Sequence, residues 1–151
     1  ENRAISLIRG SVKSDIIDAK LGDAAISYSL TDASAKKKLV REGENLKVRI
    51  DVELEGALQE YILRDNPLID SASLIKDMEK VIETKLKEEI NKTLELLQKE
   101  YKADAIGVGE YISKFHPKVW KEVSEDWDEI FSQMDIEVAL TVDVRRRGLV
   151  Q

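Results

Sequence analysis

The 151-residue chain contains no cysteine and only one histidine. Without cysteine it cannot form a disulfide or a thiolate metal site. A single histidine leaves almost no candidate for the usual general bases and rules out a histidine cluster for zinc. These absences argue against most enzyme classes. We therefore expect no cofactor and no metal.

Basic residues are also in the minority, with 24 basic against 30 acidic side chains and a formal net charge of −6. Nucleic acid selects a basic protein face, so the composition argues against a nucleic-acid partner. No apolar run approaches the ~18 residues of a membrane span. The chain begins at Glu1 rather than at a methionine. We expect an excised domain or a processed chain, with any targeting signal upstream of Glu1.

Alternating apolar and polar residues predict strands in the first half. The clearest pattern covers residues 46–55, where the even positions are apolar and the odd positions are all charged. Weaker alternation predicts a strand over residues 24–30. Residues 14–21, which carry Ile16, Ile17 and Leu21, are predicted as the strand before it, with a turn at Gly22 and Asp23 between them. Such one-sided strands with short turns favour an antiparallel sheet with one face open to water. Residues 2–8 are predicted as a short helix, with a strand as the alternative.

The period changes after Pro67. Between residues 71 and 103 the apolar positions recur every three or four residues, which predicts a helix of about 50 Å. They are Ile75, Met78, Ile82, Leu86, Ile90, Leu94, Leu97 and Tyr101. Asp70 or Ser71 is the predicted N-cap and Gly107 the predicted stop. Because a domain of this size is about 40 Å across, we expect the helix to bend, break or overhang the sheet.

A second helical segment is predicted after Pro117, with one apolar face that includes Trp120 and Trp127. We interpret the two tryptophans as core anchors and the acidic run at residues 122–129 as a solvated helix face rather than a calcium site. Alternation over residues 136–144 predicts a last strand that returns to the sheet.

Strands, then helices, then a strand indicate the α+β class. We predict an antiparallel sheet of about four strands, with one face covered by a long helix and one or two shorter helices. No repeat, low-complexity run or linker interrupts the chain, so residues 1–151 are predicted to form a single domain.

Two features of the helical half invite a chemical interpretation but fit structural roles better. His116 directly precedes Pro117, and we interpret it as flanking the helix that follows. Gly107 and Gly109 have no phosphate-binding lysine after them, so we interpret them as the turn that ends the long helix. No catalytic, cofactor-binding or metal-binding residue is predicted.

Charge is distributed unevenly along the chain. Residues 36–49 carry six basic and two acidic side chains, whereas residues 122–137 carry seven acidic side chains and no basic one. These segments either steer a partner or form two solvated faces, and the sequence favours neither. The last strand ends in Arg145, Arg146 and Arg147, which either protect a strand end or contact an acidic partner. These three arginines are the candidate partner interface.

The second half carries a recognisable signature. It consists of the segment EYKADAIGVGEY at residues 100–111, then PKVW at residues 117–120, Trp127, and the last strand with its arginines and Gly148. This pattern closely resembles the C-terminal domain of the Ger(x)C family, the lipoprotein C subunits of spore germinant receptors. The order of predicted elements fits that family over essentially the whole chain.

The resemblance implies a parent lipoprotein of an endospore-forming bacterium, with its lipidated cysteine upstream of Glu1 and its anchor on the outer face of the spore inner membrane. It implies assembly with a multi-spanning A subunit and a transporter-like B subunit that respond to nutrient germinants. The family has no established catalytic residues. We therefore expect a non-enzymatic assembly or interaction domain. The alternative is a domain that binds a small germinant directly.

Overall fold

Alternating side chains produce four strands in a single sheet. The computed structural model describes residues 2–12, 14–58 and 72–145. Along the sheet the strand order equals the chain order. The strands are β1 (Asp15–Leu21), β2 (Ala24–Glu42), β3 (Asn45–Leu58) and β4 (Asp135–Arg145).

The α+β class and the mostly antiparallel sheet are confirmed, but one pair differs from the fully antiparallel prediction. β1, β2 and β3 pair antiparallel, whereas β4 pairs with β3 in parallel. The hairpins at Gly22 and Gly43 fix the direction of the first three strands. A long helical connection precedes β4, and such a connection can deliver a strand in either direction. Alternation reports which face is buried and carries no information on direction.

β2 is longer than predicted, because it continues beyond residue 30 through the lysine-rich stretch to Glu42. A register shift between Leu30 and Asp32 marks a bulge. Beyond the bulge, β3 satisfies the backbone of β2 as far as Glu42, so pairing outweighs the poor strand propensity of lysine. Ala35 and Leu39 pack against the core from this extension.

The described residues contain five α-helices and two other helical turns. The helices are α1 (Arg3–Arg9), α2 (Ala72–Glu95), α3 (Val108–Phe115), α4 (Pro117–Val123) and α5 (Trp127–Gln133). A π-helical segment, Leu96–Tyr101, continues α2, and a 3₁₀ turn, Ser124–Asp126, joins α4 to α5. The predicted short N-terminal helix is confirmed as α1, whose Asn2 side chain accepts the first free backbone N–H groups.

The long helix is confirmed, but its predicted stop at Gly107 is wrong. The α-helix changes to π-type hydrogen bonding at Leu96 and ends at Tyr101. Lys102 then adopts the left-handed conformation, with a φ of 48°, and supplies the terminating turn. Gly107 lies at the start of α3 instead. The predicted N-caps Asp70 and Ser71 lie outside the described residues.

The predicted second helix is two helices. The 3₁₀ turn at residues 124–126 separates Pro117–Val123 from Trp127–Gln133. A 3₁₀ turn rotates by 120° per residue and an α-helix by 100°, so three residues shift the apolar face by only about 60°. The apolar residues of the two helices therefore still follow one helical period, and the sequence does not reveal the break. Trp127 is buried as predicted, while Trp120 is only partly buried against the core.

The core lies between one face of the sheet and the helices. Val48 and Ile50 of β3 and Ile82, Leu86 and Ile90 of α2 are fully buried there. The other face of β3 is the exposed charged face that the alternation predicted. In the described part of the chain, no helix has the length and apolar character needed to span a bilayer.

Candidate functional site

The centre of the signature is the carboxylate of Asp104. It accepts the backbone N–H of Val108 at 3.1 Å and that of Gly109 at 2.6 Å, which are free donors in the first turn of α3. It also accepts the indole Nε1–H of Trp127 at 3.2 Å. A negative group at a helix start is further stabilised by the helix dipole. Asp104 thus joins α3 to α5 in one polar centre.

The two glycines of the signature permit two different close approaches. Gly107 adopts the left-handed conformation with a φ of 80°, next to the Arg9 guanidinium. A Cβ on Gly109 would lie 2.8 Å from Trp127 Nε1 and 3.1 Å from Trp120 Cη2. The two indoles pack edge to face there, with ring centres 5.4 Å apart. Gly109 therefore creates the space that the tryptophan pair fills.

Arg9 connects the first helix to the same cluster. Its Nη1 donates to the carbonyl of Ala105 at 2.9 Å, and its Nη2 lies 3.4 Å from a carboxylate oxygen of Glu110. An open cleft of about 760 Å³ borders the cluster and includes Asp104 and Arg9 in its lining. Both of these polar groups already bind protein partners. The signature residues therefore act as packing and capping elements.

The candidate interface at the end of β4 is described only in part. Arg145 extends to Glu55 of β3, with 2.7 Å between Nη2 and Oε2, and its side chain is 61% exposed. Arg146 and Arg147 lie outside the described residues. Arg145 is therefore an exposed cation at the end of the sheet.

Two glutamates of α2 protect the free edge of β4, a role that the sequence analysis did not assign to them. Glu83 accepts the backbone N–H of Val142 at 3.1 Å, and Glu79 accepts that of Val144 at 2.9 Å. Unpaired N–H groups on an edge strand invite pairing with other chains. The spacing of the glutamates placed them on one side of the helix, but nothing in the sequence located the strand edge beside them.

The basic and acidic segments meet each other within the fold. Arg41 pairs with Glu122 at 3.1 Å, and Lys47 pairs with Glu137 at 2.8 Å. The hydrogen bond between Lys47 and Glu137 raises the pKa of the Lys47 ammonium and lowers the pKa of the Glu137 carboxyl. Much of the uneven charge is thus compensated inside the molecule.

His116 flanks α4, as predicted. It lies between α3 and α4, and its Nε2 is 3.2 Å from the hydroxyl of Tyr111. Across the ranges that the structure describes, no three histidine or acidic side chains are grouped as a metal site requires. The acidic side chains of residues 125–128 are exposed, in agreement with a solvated face.

Comparison with known proteins decides the family. The chain matches the family model described as "Spore germination B3/GerAC like, C-terminal" over residues 1–148. The chain belongs to this family. It is 34% identical over 149 residues to spore germination protein A3 of Bacillus subtilis (strain 168), which covers 98% of this chain and 40% of that protein. With spore germination protein YndF of the same organism the identity is 28%, over 100% of this chain and 37% of the relative.

The fold agrees with the same family. The chain matches a solved structure, the crystal structure of the GerBC protein, with a TM-score of 0.84 and 26% identity over 94% of this chain and 44% of that one. The resemblance inferred from the signature is confirmed. The family is one of germinant receptor C subunits that take part in spore germination. The chain spans about two fifths of the length of the curated relatives named above.

Proposed function

We propose that this chain is a non-enzymatic assembly or interaction domain of a germinant receptor C subunit, required for nutrient-triggered spore germination. The main support is that the signature residues serve packing and helix capping. The Asp104 carboxylate binds two backbone N–H groups and an indole, and Gly109 makes room for two tryptophans. Side chains engaged in this way stabilise the fold. Binding of a partner would therefore use other residues on the surface.

We further propose that the chain is a single domain of a larger lipoprotein. Family membership and the short share of each relative that the chain covers support a parent with additional sequence. The proposed parent is lipid-anchored upstream of Glu1, on the outer face of the spore inner membrane. Its proposed partners are the A and B membrane subunits of the receptor.

Deletion of the domain from the parent protein tests the proposal. Spores that carry the deletion should lose the response to nutrients and keep the response to a trigger that bypasses the receptor. Immunoblots for all three subunits show whether the receptor still accumulates. A normal nutrient response with normal subunit levels would contradict the proposal.

Calorimetry of the isolated chain against a panel of amino acids and sugars separates the interaction role from direct germinant sensing. The interaction role predicts no heat of binding at submillimolar concentrations. Saturable submillimolar binding would instead favour a sensor domain. Turnover of cortex peptidoglycan by the pure chain would contradict the non-enzymatic role.

We also propose Arg145, Arg146 and Arg147 as a contact for an acidic surface of the A or B subunit. The exposed position of Arg145 at the end of the sheet supports this role. Charge reversal of the three arginines should reduce co-purification with the other subunits. Reversal of Lys20, Lys76 and Lys92, three exposed lysines elsewhere, is the matched control. Unchanged co-purification would remove this strand end from the interface.

A further inference from the structure

A second cleft, of about 850 Å³, opens between β2 and α3. Residues 35–37 of β2 form one wall, and Tyr111, Lys114 and Phe115 of α3 contribute to the other. The cleft combines three features that suit a ligand. They are two lysines without an ion-pair partner in the described residues, a backbone N–H on the open side of β2, and an exposed aromatic ring.

The cations of the cleft lack acidic partners. Elsewhere in the basic segment Arg41 is paired with Glu122. In contrast, neither Lys37 nor Lys114 forms an ion pair within the residues that the structure describes. The acidic residue in the cleft lining, Glu110, lies beside Arg9 at 3.4 Å. Asp104 and Glu110 are near enough to act on the charge of Lys37, but in the described residues neither lies within ion-pair distance of Lys37 or Lys114.

Lys37 is the most constrained of these cations. Its side chain is half-buried, and its Nζ donates to the carbonyl of Ile8 at a long 3.4 Å. Burial lowers the pKa of Lys37 and the nearby charge of Arg9 lowers it further, while the charges of Asp104 and Glu110 act in the opposite direction. An ammonium group has three donors. A carboxylate in the cleft would supply a further acceptor and a direct ion-pair partner.

The backbone of β2 offers a further donor at the same place. β1 pairs with β2 only as far as Leu30, so none of the described strands pairs with the later part of β2 on that side. The N–H of Leu39 binds the hydroxyl of Tyr111 at 3.3 Å and therefore points away from β3. Backbone direction alternates along a strand, so the N–H of Lys37 points to the same side, into the cleft wall.

Phe115 supplies an apolar rim. Its side chain is 61% exposed, although large aromatic side chains are usually buried. It packs on Tyr111 with ring centres 5.4 Å apart, and Lys114 Nζ lies 5.6 Å from its ring centre. An aromatic surface next to two lysines suits the methylene stem of an acidic side chain, whose charged end reaches the ammonium groups.

We propose that this cleft binds an acidic side chain on an extended segment of a partner protein, with the carboxylate between Lys37 and Lys114 and the chain across Phe115. The inference rests on the proposed interaction role and names the chemistry of the partner. A protein segment fits better than a lipid surface, because Lys37 lies inside a concave cleft that a projecting carboxylate can enter and a flat bilayer cannot.

Fluorescence anisotropy with two labelled peptides tests the proposal on the whole chain. One peptide alternates glutamate with threonine, and the other replaces each glutamate by glutamine. We expect saturable binding of the glutamate peptide and at least tenfold weaker binding of the glutamine peptide. Lys37→Gln, Lys114→Gln and Phe115→Ala should each weaken binding about tenfold, whereas Lys20→Gln and Lys76→Gln should not change it. Lys114 and Phe115 are exposed, so their variants should remain folded even if Lys37→Gln does not.

A second measurement reports the contact itself. In NMR spectra the bound glutamate peptide should give intermolecular NOEs between its glutamate methylene protons and the Phe115 ring, and it should shift the Lys37 amide while distant amides keep their positions. A change in folding alone would produce no intermolecular NOE. Equal binding of both peptides, or no saturable binding, would overturn the proposal. So would lysine-dependent binding to vesicles of phosphatidylcholine and phosphatidylglycerol without peptide binding, since that outcome indicates a lipid surface.

Variants of the parent protein distinguish a failure of this inference from a failure of the proposed function. Lys37→Gln/Lys114→Gln in the parent should impair nutrient-triggered germination at normal protein levels. If domain deletion abolishes germination and this double variant does not, the cleft assignment fails and the interaction role stands. If the peptide binds as expected and domain deletion has no effect, the cleft assignment stands and the proposed role in germination fails.

Discussion

At the residue scale, each of the two central signature residues has a specific structural role. Asp104 supplies acceptors for backbone donors that a helix start cannot satisfy by itself. Gly109 leaves out a side chain so that two indoles can meet. The sequence showed these residue types and their spacing, but not their targets. Trp127 lies 23 positions beyond Asp104, and only the fold brings its indole within hydrogen-bond distance.

Replacing Gly109 by alanine tests this account. The added Cβ would lie 2.8 Å from Trp127 Nε1, so the tryptophan pair must move. We expect the free energy of unfolding to fall by about 1–3 kcal/mol, the usual cost of overpacking. Urea denaturation measures the change. The control is Ser113→Ala, an exposed position on the same helix, which should change stability very little. Wild-type stability of Gly109→Ala would show that the glycine is not needed for packing.

At the element scale, α2 has two functions in the fold. Its apolar face covers the sheet, and its glutamates Glu79 and Glu83 bind the outward N–H groups of β4. The apolar face was predicted from the 3.6-residue period. The edge contact could not be predicted, because the same glutamates also fit ordinary helix-surface pairs and because alternation did not reveal that β4 is an edge strand.

Removal of both glutamates should expose this edge. For Glu79→Ala/Glu83→Ala we expect a loss of stability of roughly 1 kcal/mol per side chain, since each removes a charged hydrogen bond near the surface. The variant should also associate at high concentration, because the edge becomes available for pairing. Urea denaturation and light scattering measure the two effects. Glu88→Ala, at an exposed site on α2, is the control, and equal behaviour of both variants would refute edge protection.

A buried tyrosine of β2 reaches across β3 to β4 and makes the stability of the fold depend on pH. Tyr28 of β2 donates its hydroxyl hydrogen across β3 to the carbonyl of Asp143 in β4 at 3.0 Å. Burial raises the pKa of Tyr28 above its ordinary value of 10.0, and the charge of Asp143 adds to the rise. Above pH 10 the unfolded chain releases this proton and the folded chain keeps it. Stability therefore falls as the pH rises through this range.

Tyr28→Phe should remove this contribution. Below pH 10 the variant should be about 1 kcal/mol less stable, because the hydrogen bond is lost. Above pH 10 the wild type loses stability and the difference should narrow. Urea midpoints of both proteins from neutral to strongly alkaline pH measure the effect, with all other titrating groups in common. A constant difference across that range would show that Tyr28 ionises equally in both states.

At the scale of the whole molecule, opposite charges that are far apart in the sequence become neighbours. Lys47 follows the hairpin turn of β2 and β3, whereas Glu137 lies in the last strand, and parallel pairing of β3 with β4 brings them to 2.8 Å. A reversed β4 would have changed these partners. The contact therefore depends on strand direction, which the sequence pattern does not encode.

A double-mutant cycle measures this coupling. Lys47→Gln and Glu137→Gln should each lower the melting temperature at low ionic strength, and the double variant should lose less than the sum of the single changes. Glu137 is exposed and Lys47 is partly exposed, so salt should reduce the coupling. Additive effects at low salt would show that the pair contributes nothing to folding.

The sequence by itself determined the fold class, the element types and the family. Periodicity reports which side of a strand or helix is buried. The signature of glycines, acids and tryptophans lies within a short stretch of sequence, so the family can be recognised from it. Only the tertiary structure decided the parallel direction of β4, the extension of β2, the break between α4 and α5 and the partners of Asp104, Glu79 and Lys37. Each of these depends on contacts between distant segments. Their free energies arise only when the chain has folded, and no local pattern records them.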